Sequence, residues 1–229
     1  MKISNNTIEV LKNFAAINSN IIFLPGQDLK TINEAKSILG IAKIQEDFPK
    51  EFGIYDLNEF LSVISLVGNP SLEFKDSSVY LQADEADRYL GSVEYYFSSK
   101  DTLTTPPSKE ISMDSKFSIE ISEESLNQIK KAAAILGHRE LAIAGEDGVI
   151  TAKILDDKDI TANVFELKLA HDNDCKNKFK FIIHISSILK LFPGDYYTSF
   201  AKEGVSYWQN SDHPINYFIA VEKTSEYHV

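Results

Sequence analysis

The chain repeats its own order of elements, and that repeat limits the possible folds more than any other feature. Residues 4–18 have helical spacing, with Ile8, Leu11 and Ala15 on one side and Val10, Phe14 and Ile17 beside them. Asn5, Glu9, Lys12 and Asn13 form the polar side. Residues 122–136 read the same way, with Ser122 as cap, Leu126, Ile129, Ala133 and Leu136 inward, and Asn127, Lys130 and Lys131 outward. A shift of 118 places Ile8 on Leu126, Lys12 on Lys130 and Asn13 on Lys131. A second helix starts at the capping residue Asp56, with Glu59 set for a capping box, and stops at Gly68-Asn69-Pro70. Leu57, Leu61 and Ile64 face inward on it, and Asn58, Glu59 and Ser62 outward. A fourth helix is expected over 184–192, with Ile185, Ile188, Leu189 and Phe192 inward, Ser186, Ser187 and Lys190 outward, and Pro193-Gly194 as its end. A shift of 128 places Ile54-Tyr-Asp-Leu-Asn-Glu-Phe-Leu on Ile182-Ile-His-Ile-Ser-Ser-Ile-Leu. The two shifts differ by 10 residues, which one longer loop near Asp172 absorbs.

Short strands fill the intervals. In the first half they fall near 20–24, 27–33, 38–45, 50–55, 71–75, 78–83 and 88–97. In the second they fall near 116–121, 139–145, 149–155, 160–169, 178–183, 195–200, 204–209 and 215–222. Between the halves, residues 98–115 have neither period, and Pro106-Pro107 blocks sheet pairing. The pattern is α+β, with a domain over 1–108, a linker over about 98–115 and a second domain over 109–229. Duplication explains it; two unrelated α+β domains with similar alternation are the other explanation.

Charge and chemistry narrow the function. The 229 residues carry a net charge of −11, so most of the surface repels polyanions. Only Arg88 and Arg139 are arginine, which disfavours reading of base edges. No run is long and apolar enough for a membrane span, and the N-terminus lacks a secretion signal, so a cytoplasmic protein is expected. Cys175 has no disulfide partner and reads as an inert thiol in a hairpin loop. Asp156–Asp159 and Asp172–Asp174 lack the glycine and glutamate of a calcium loop and read as solvated turns, as does Asp84–Asp87. His138, His171, His184, His213 and His228 show no metal-ligand spacing, and no phosphate-loop or nucleophile motif occurs. No cofactor is expected, and the sequence weighs against an enzyme.

Several blocks bear a resemblance to a known family. Met1-Lys-Ile-Ser, Leu11-Lys-Asn-Phe-Ala and Ile17-Asn-Ser resemble the N-terminus of the sliding clamps of T-even-type bacteriophages. Ile54-Tyr-Asp-Leu-Asn-Glu-Phe-Leu with Ile64-Ser-Leu-Val, then Phe179-Lys-Phe-Ile-Ile and Pro193-Gly-Asp-Tyr-Tyr, are similar to the same family in order. The stretch 84–115 departs most. The resemblance implies a DNA-clamp fold of two similar domains, each with two helices packed on antiparallel sheets. It implies a homotrimeric ring around duplex DNA that tethers the phage DNA polymerase for processive replication and is opened by an ATP-driven clamp loader. Late-transcription factors are further expected partners, and the place of action is the cytoplasm of the infected bacterial host. The rival reading is a duplicated β-rich interaction or virion protein with no DNA role.

The resemblance also assigns candidate residues. Lys12, Asn13, Lys130, Lys131 and Lys190 would face DNA, although the four helices together hold four lysines against five acids. Val93, Tyr95 and Phe97 in one strand, and Val164, Phe165 and Leu167 in another, would lie at the head-to-tail subunit junction as sheet edges. Leu103, Pro106, Ile219 and Val221 would line a groove for a partner's apolar terminal segment.

Overall fold

The computed structural model describes residues 1–83, 91–109, 111–159, 161–171, 178–201 and 204–228. Cys175, the turns at Asp84–Asp87 and Asp172–Asp174, and residues 88–90 of an expected strand lie outside them. Two compact units form, Met1–Lys109 and Glu110–Val229.

The first unit runs α1 (Asn5–Ile17), β1 (Ile21–Phe23), β2 (Gly26–Ile32), β3 (Ile38–Phe48), β4 (Phe52–Ile54), α2 (Leu57–Val67), β5 (Ser71–Phe74), β6 (Ser78–Gln82) and β7 (Ser92–Tyr96). Strand pairs are antiparallel: β1 with β4, β2 with β3, and β5-β6-β7 in order. Ser4 and Asp56 cap α1 and α2 through their side-chain oxygens. Gly68 closes α2 in the left-handed conformation (φ 79°), which a side chain would disfavour. Thr7, Leu11, Phe14 and Ile17 form the buried stripe of α1, while Ile8 and Ala15 are only half-buried. Phe23, Phe48, Phe52, Phe74 and Phe97 pack ring on ring in the same unit.

The second unit runs β8 (Ser115–Ile121), α3 (Glu123–Leu136), β9 (Glu140–Glu146), β10 (Val149–Leu155), β11 (Phe165–His171), β12 (Lys178–His184), α4 (Ile185–Ile188), β13 (Tyr196–Ala201), β14 (Val205–Asn210), β15 (Ile215–Ala220) and β16 (Glu226–His228). One sheet has the order β11-β10-β9-β12-β16, and β15-β14-β13-β8 run side by side elsewhere, all antiparallel. Phe117, Phe179, Phe181, Phe200 and Trp208 fill the core.

Three differences from the expected elements have physical causes. The fourth helix is one turn, Ile185–Ile188, not 184–192. Leu189 is exposed and Ser187 buried, the reverse of the expectation, because the backbone leaves helical phase after Ile188 and turns before Pro193. The strand expected over 160–169 starts at Phe165, after a turn in which Asp159 accepts from the Thr161 amide. The strand β16 was not expected; it pairs with β12 through Lys178↔His228, Phe179↔Tyr227 and Lys180↔Glu226.

A buried carboxylate fastens α1 to β3. Glu46 accepts from the Ser4 amide through Oε1 and from the Thr7 hydroxyl through Oε2, each at 2.5 Å. Burial alone would raise its pKa; the bonds from Thr7 and Ser4 outweigh burial and hold the carboxyl below its ordinary value. A lowered folded-state pKa contributes stability above the unfolded-state value, and that stability is lost as pH falls through the folded one. Glu46→Gln therefore destabilises the chain by about 1–3 kcal/mol at neutral pH. Urea melts at pH 7 and pH 3 check this: the gap between variant and parent narrows in acid. A constant gap would assign the loss to packing rather than charge.

Candidate nucleic-acid interface and sheet edges

The exposed helix faces carry the lysines. On α1 the solvent side is Asn5, Asn6, Glu9, Lys12 and Ala16, with Asn13 half-buried. Lys12 Nζ lies 2.8 Å from Glu9 Oε1, one turn back on the same face. Such an exposed pair adds only a few tenths of a kcal/mol, and the Glu9 carboxylate offsets the charge that Lys12 presents. On α3 the solvent side is Glu123, Glu124, Asn127, Lys131, Ala134 and Ile135. Lys130 is half-buried; burial lowers its ammonium pKa, and Glu123 opposes that shift. Lys131 is exposed. Lys190 follows the single turn of α4 and is half-buried rather than on a helix face.

Both expected edge strands end a sheet. Among the described residues β7 pairs only with β6, and β11 only with β10. The side chains expected to meet a partner on β7, however, point into their own unit. Tyr95 packs edge-on against Phe60 at 5.2 Å and donates to Glu59 Oε2 at 2.9 Å. Burial, and then that bond, push the Tyr95 phenol far above its ordinary pKa. Phe97 rests on Phe52 at 4.9 Å, and Val93 is half-buried on the same side. Tyr96, one residue out of phase, is 67% exposed. Leu66, near the end of α2, is 80% exposed.

The edge at β11 adjoins an apolar groove of about 370 Å³, lined by Ala132, Ile135 and Leu136 of α3 with Val164 and Phe165. Ile135 is 82% exposed and Val164 57%. Phe165 and Leu167 are half-buried. Leu66, Tyr96 and Ile135 were missed in the sequence. Their signal is an apolar residue in a polar phase of its element: Leu66 one turn after Ser62, and Ile135 one turn after Lys131.

The four residues expected to line a partner groove fall two in each unit. Leu103 and Pro106 lie in the first unit, where Leu103 is buried over Gly53 and Pro106 is half-buried. Ile219 is 0% exposed in the middle of β15, so it belongs to the core and not to a groove. Val221 does line a cavity of about 370 Å³ in the second unit, with Phe181, Ala201, Gly204, Ser225 and Tyr227. Tyr227 was missed because β16 was missed. Among the described residues no cluster of His, Cys, Asp or Glu could hold a metal ion, and no helix is long and apolar enough to cross a membrane.

Comparison with known proteins places these features in a family. A family model described as DNA polymerase processivity factor matches residues 3–103, and one described as the C-terminal part of the gp45 sliding clamp matches residues 118–223. The sliding clamp of Vibrio phage KVP40 is 30% identical over 227 residues, covering 97% of this chain and 99% of the relative. That of Enterobacteria phage T4 is 28% identical over 235 residues, covering 98% of each. Among solved structures, proliferating cellular nuclear antigen of Entamoeba histolytica superposes with a TM-score of 0.67 at 12% identity, over 94% of each chain. A putative DNA polymerase III beta subunit from Eubacterium rectale gives 0.71 at 11% identity, over 97% of this chain and 65% of that one. At such identities the likeness establishes the shared fold alone.

Proposed function

The chain belongs to the phage sliding-clamp family of DNA polymerase processivity factors, and from that premise we propose how it works. The observation that carries the proposal is the end-to-end match: separate family models account for each half, in the order of the duplication. The protein is a sliding clamp that tethers a DNA polymerase to its template. Three copies close head to tail, the β7 edge of one against the β11 edge of the next, giving a ring of six similar units. Duplex DNA threads the ring. Retention is then topological and does not need tight binding, which reconciles a net charge of −11 with a DNA partner. Lysines on the inner helices meet phosphates and read no sequence.

Processivity follows from tethering. A polymerase held to a ring that cannot leave the duplex rebinds the primer end at high effective concentration. The polymerase would dock an apolar terminal segment in the groove at Val221 and Tyr227. The clamp itself performs no catalysis; a separate ATP-driven loader opens it, and late-transcription factors share its surface. All of this takes place inside the infected bacterial host.

The test is retention on DNA of two topologies. Loaded onto nicked circular DNA, the protein stays bound through gel filtration and leaves when the circle is cut. With polymerase and loader, primer-extension products lengthen. Equal retention on linear and circular DNA would end the ring reading.

A further inference from the structure

Positions matched by the duplication carry opposite charge in the two units, and we infer that the second unit alone carries the phosphate-contacting surface. This rests on the ring reading above and adds to it which half of each subunit holds the duplex.

The duplication makes the comparison position by position. In the shift of 118, Glu9 corresponds to Asn127, Lys12 to Lys130 and Asn13 to Lys131. In the shift of 128, Asp56 corresponds to His184, Glu59 to Ser187 and Ser62 to Lys190. The first unit thus has one cation against three acids, and that cation sits 2.8 Å from Glu9. The second has three cations and no acid at the same six places. Five of the six places differ, all in one direction, and the lysine pair is unchanged. The first turn of α3 runs the other way, with Glu123 and Glu124 against Asn5 and Asn6. Those two acids sit at a helix N-terminus, where the macrodipole favours them. Lys131 is roughly 10 Å further along the axis, about a Debye length away at physiological salt. A phosphate at Lys131 therefore feels the lysine more than the acids. Around a closed trimer, three attracting sectors alternate with three that repel.

Matched probes test this. Ala16 and Ala134 are equivalent in the shift of 118, exposed and uncharged. Ala16→Cys and Ala134→Cys, each in a Cys175→Ser background and carrying a photocrosslinker, are loaded on nicked circular DNA. Crosslinking from 134 exceeds that from 16 by roughly threefold or more, and the difference shrinks as salt rises. Lys131→Ala with Lys190→Ala lowers loading by several-fold more than Lys12→Ala does. Glu9→Asn with Asn13→Lys, which gives the first unit the charge of the second, raises crosslinking from 16. Equal yields from 16 and 134, or a Lys12→Ala defect as large as that of the pair, would overturn the inference and leave the ring standing. Loss of all linearisation-sensitive retention in the parent protein would overturn the ring reading, and this inference with it.

Discussion

In the proposed ring, Ile135→Glu turns the trimer into monomers. The side chain stands in solvent on α3, at the lip of the groove beside Val164 and Phe165, so within one chain the change touches little. Surface substitutions of that kind shift stability by about 0.5 kcal/mol or less. In a ring the same side chain meets the next subunit's exposed edge, where Leu66 and Tyr96 stand out of the apolar phase of α2 and β7. A carboxylate buried there without a partner costs about 2–4 kcal/mol at each junction, and the ring has three junctions. Sedimentation equilibrium should fall from three chains to one of 25.7 kDa, with unchanged far-UV circular dichroism. Retention on circular DNA and long primer-extension products disappear together. Adding Leu66→Lys to Ile135→Glu restores part of the trimer by pairing the two charges. Leu24→Glu, at an exposed apolar residue in the β1–β2 turn, leaves the trimer whole. A trimer that survives Ile135→Glu at micromolar concentration removes this groove from the junction.

Local signals made most of the fold legible. Asp56 and Ser122 are short polar residues before periodic apolar runs, and both cap helices at those places. The fourth helix misled because Ile185, Ile188, Leu189 and Phe192 have helical spacing, while the backbone turns out of the helix after Ile188. The strand β16 was invisible because Glu226-Tyr-His is too short to show a period, and its partner β12 lies far away in sequence. Non-local pairing leaves no local mark.

The site was legible in place but not in direction. Alternation separates the two faces of β7, yet it does not say which face meets the core. The resemblance places Val93, Tyr95 and Phe97 at the junction as a sheet edge, and being apolar is what turns Tyr95 and Phe97 inward onto Phe60 and Phe52. Ile219 failed in the same way. The lysines were located by helical phase, but the half-burial of Lys130 and the pairing of Lys12 depend on neighbours that phase does not reveal.

Tyr227→Ala abolishes tight docking of the polymerase segment while the trimer persists. The aromatic ring of Tyr227 lies 6.5 Å from that of Phe179 and 6.2 Å from that of Phe181, stacked on both. It stands as one wall of the cavity whose floor includes Val221 and Ala201. A short apolar anchor needs such a wall, since buried aromatic contacts supply most of the affinity in small interfaces. Removing it costs about 2 kcal/mol or more, roughly a 30-fold loss of affinity. Anisotropy of a labelled peptide from the polymerase terminus reads that loss. Tyr227→Phe keeps the ring and drops the 3.4 Å hydroxyl contact to the Lys116 carbonyl, so it binds within about threefold of the parent. Because Tyr227→Ala also loosens packing on Phe179 and Phe181, its melting temperature falls, and the titration is run well below that melt. The groove and the β11 edge are lined by different residues, so sedimentation still reports three chains. Primer-extension products then shorten although the clamp stays on circular DNA, which separates a lost tether from a lost ring. Parent-like affinity for Tyr227→Ala would place the polymerase segment somewhere other than the cavity at Val221.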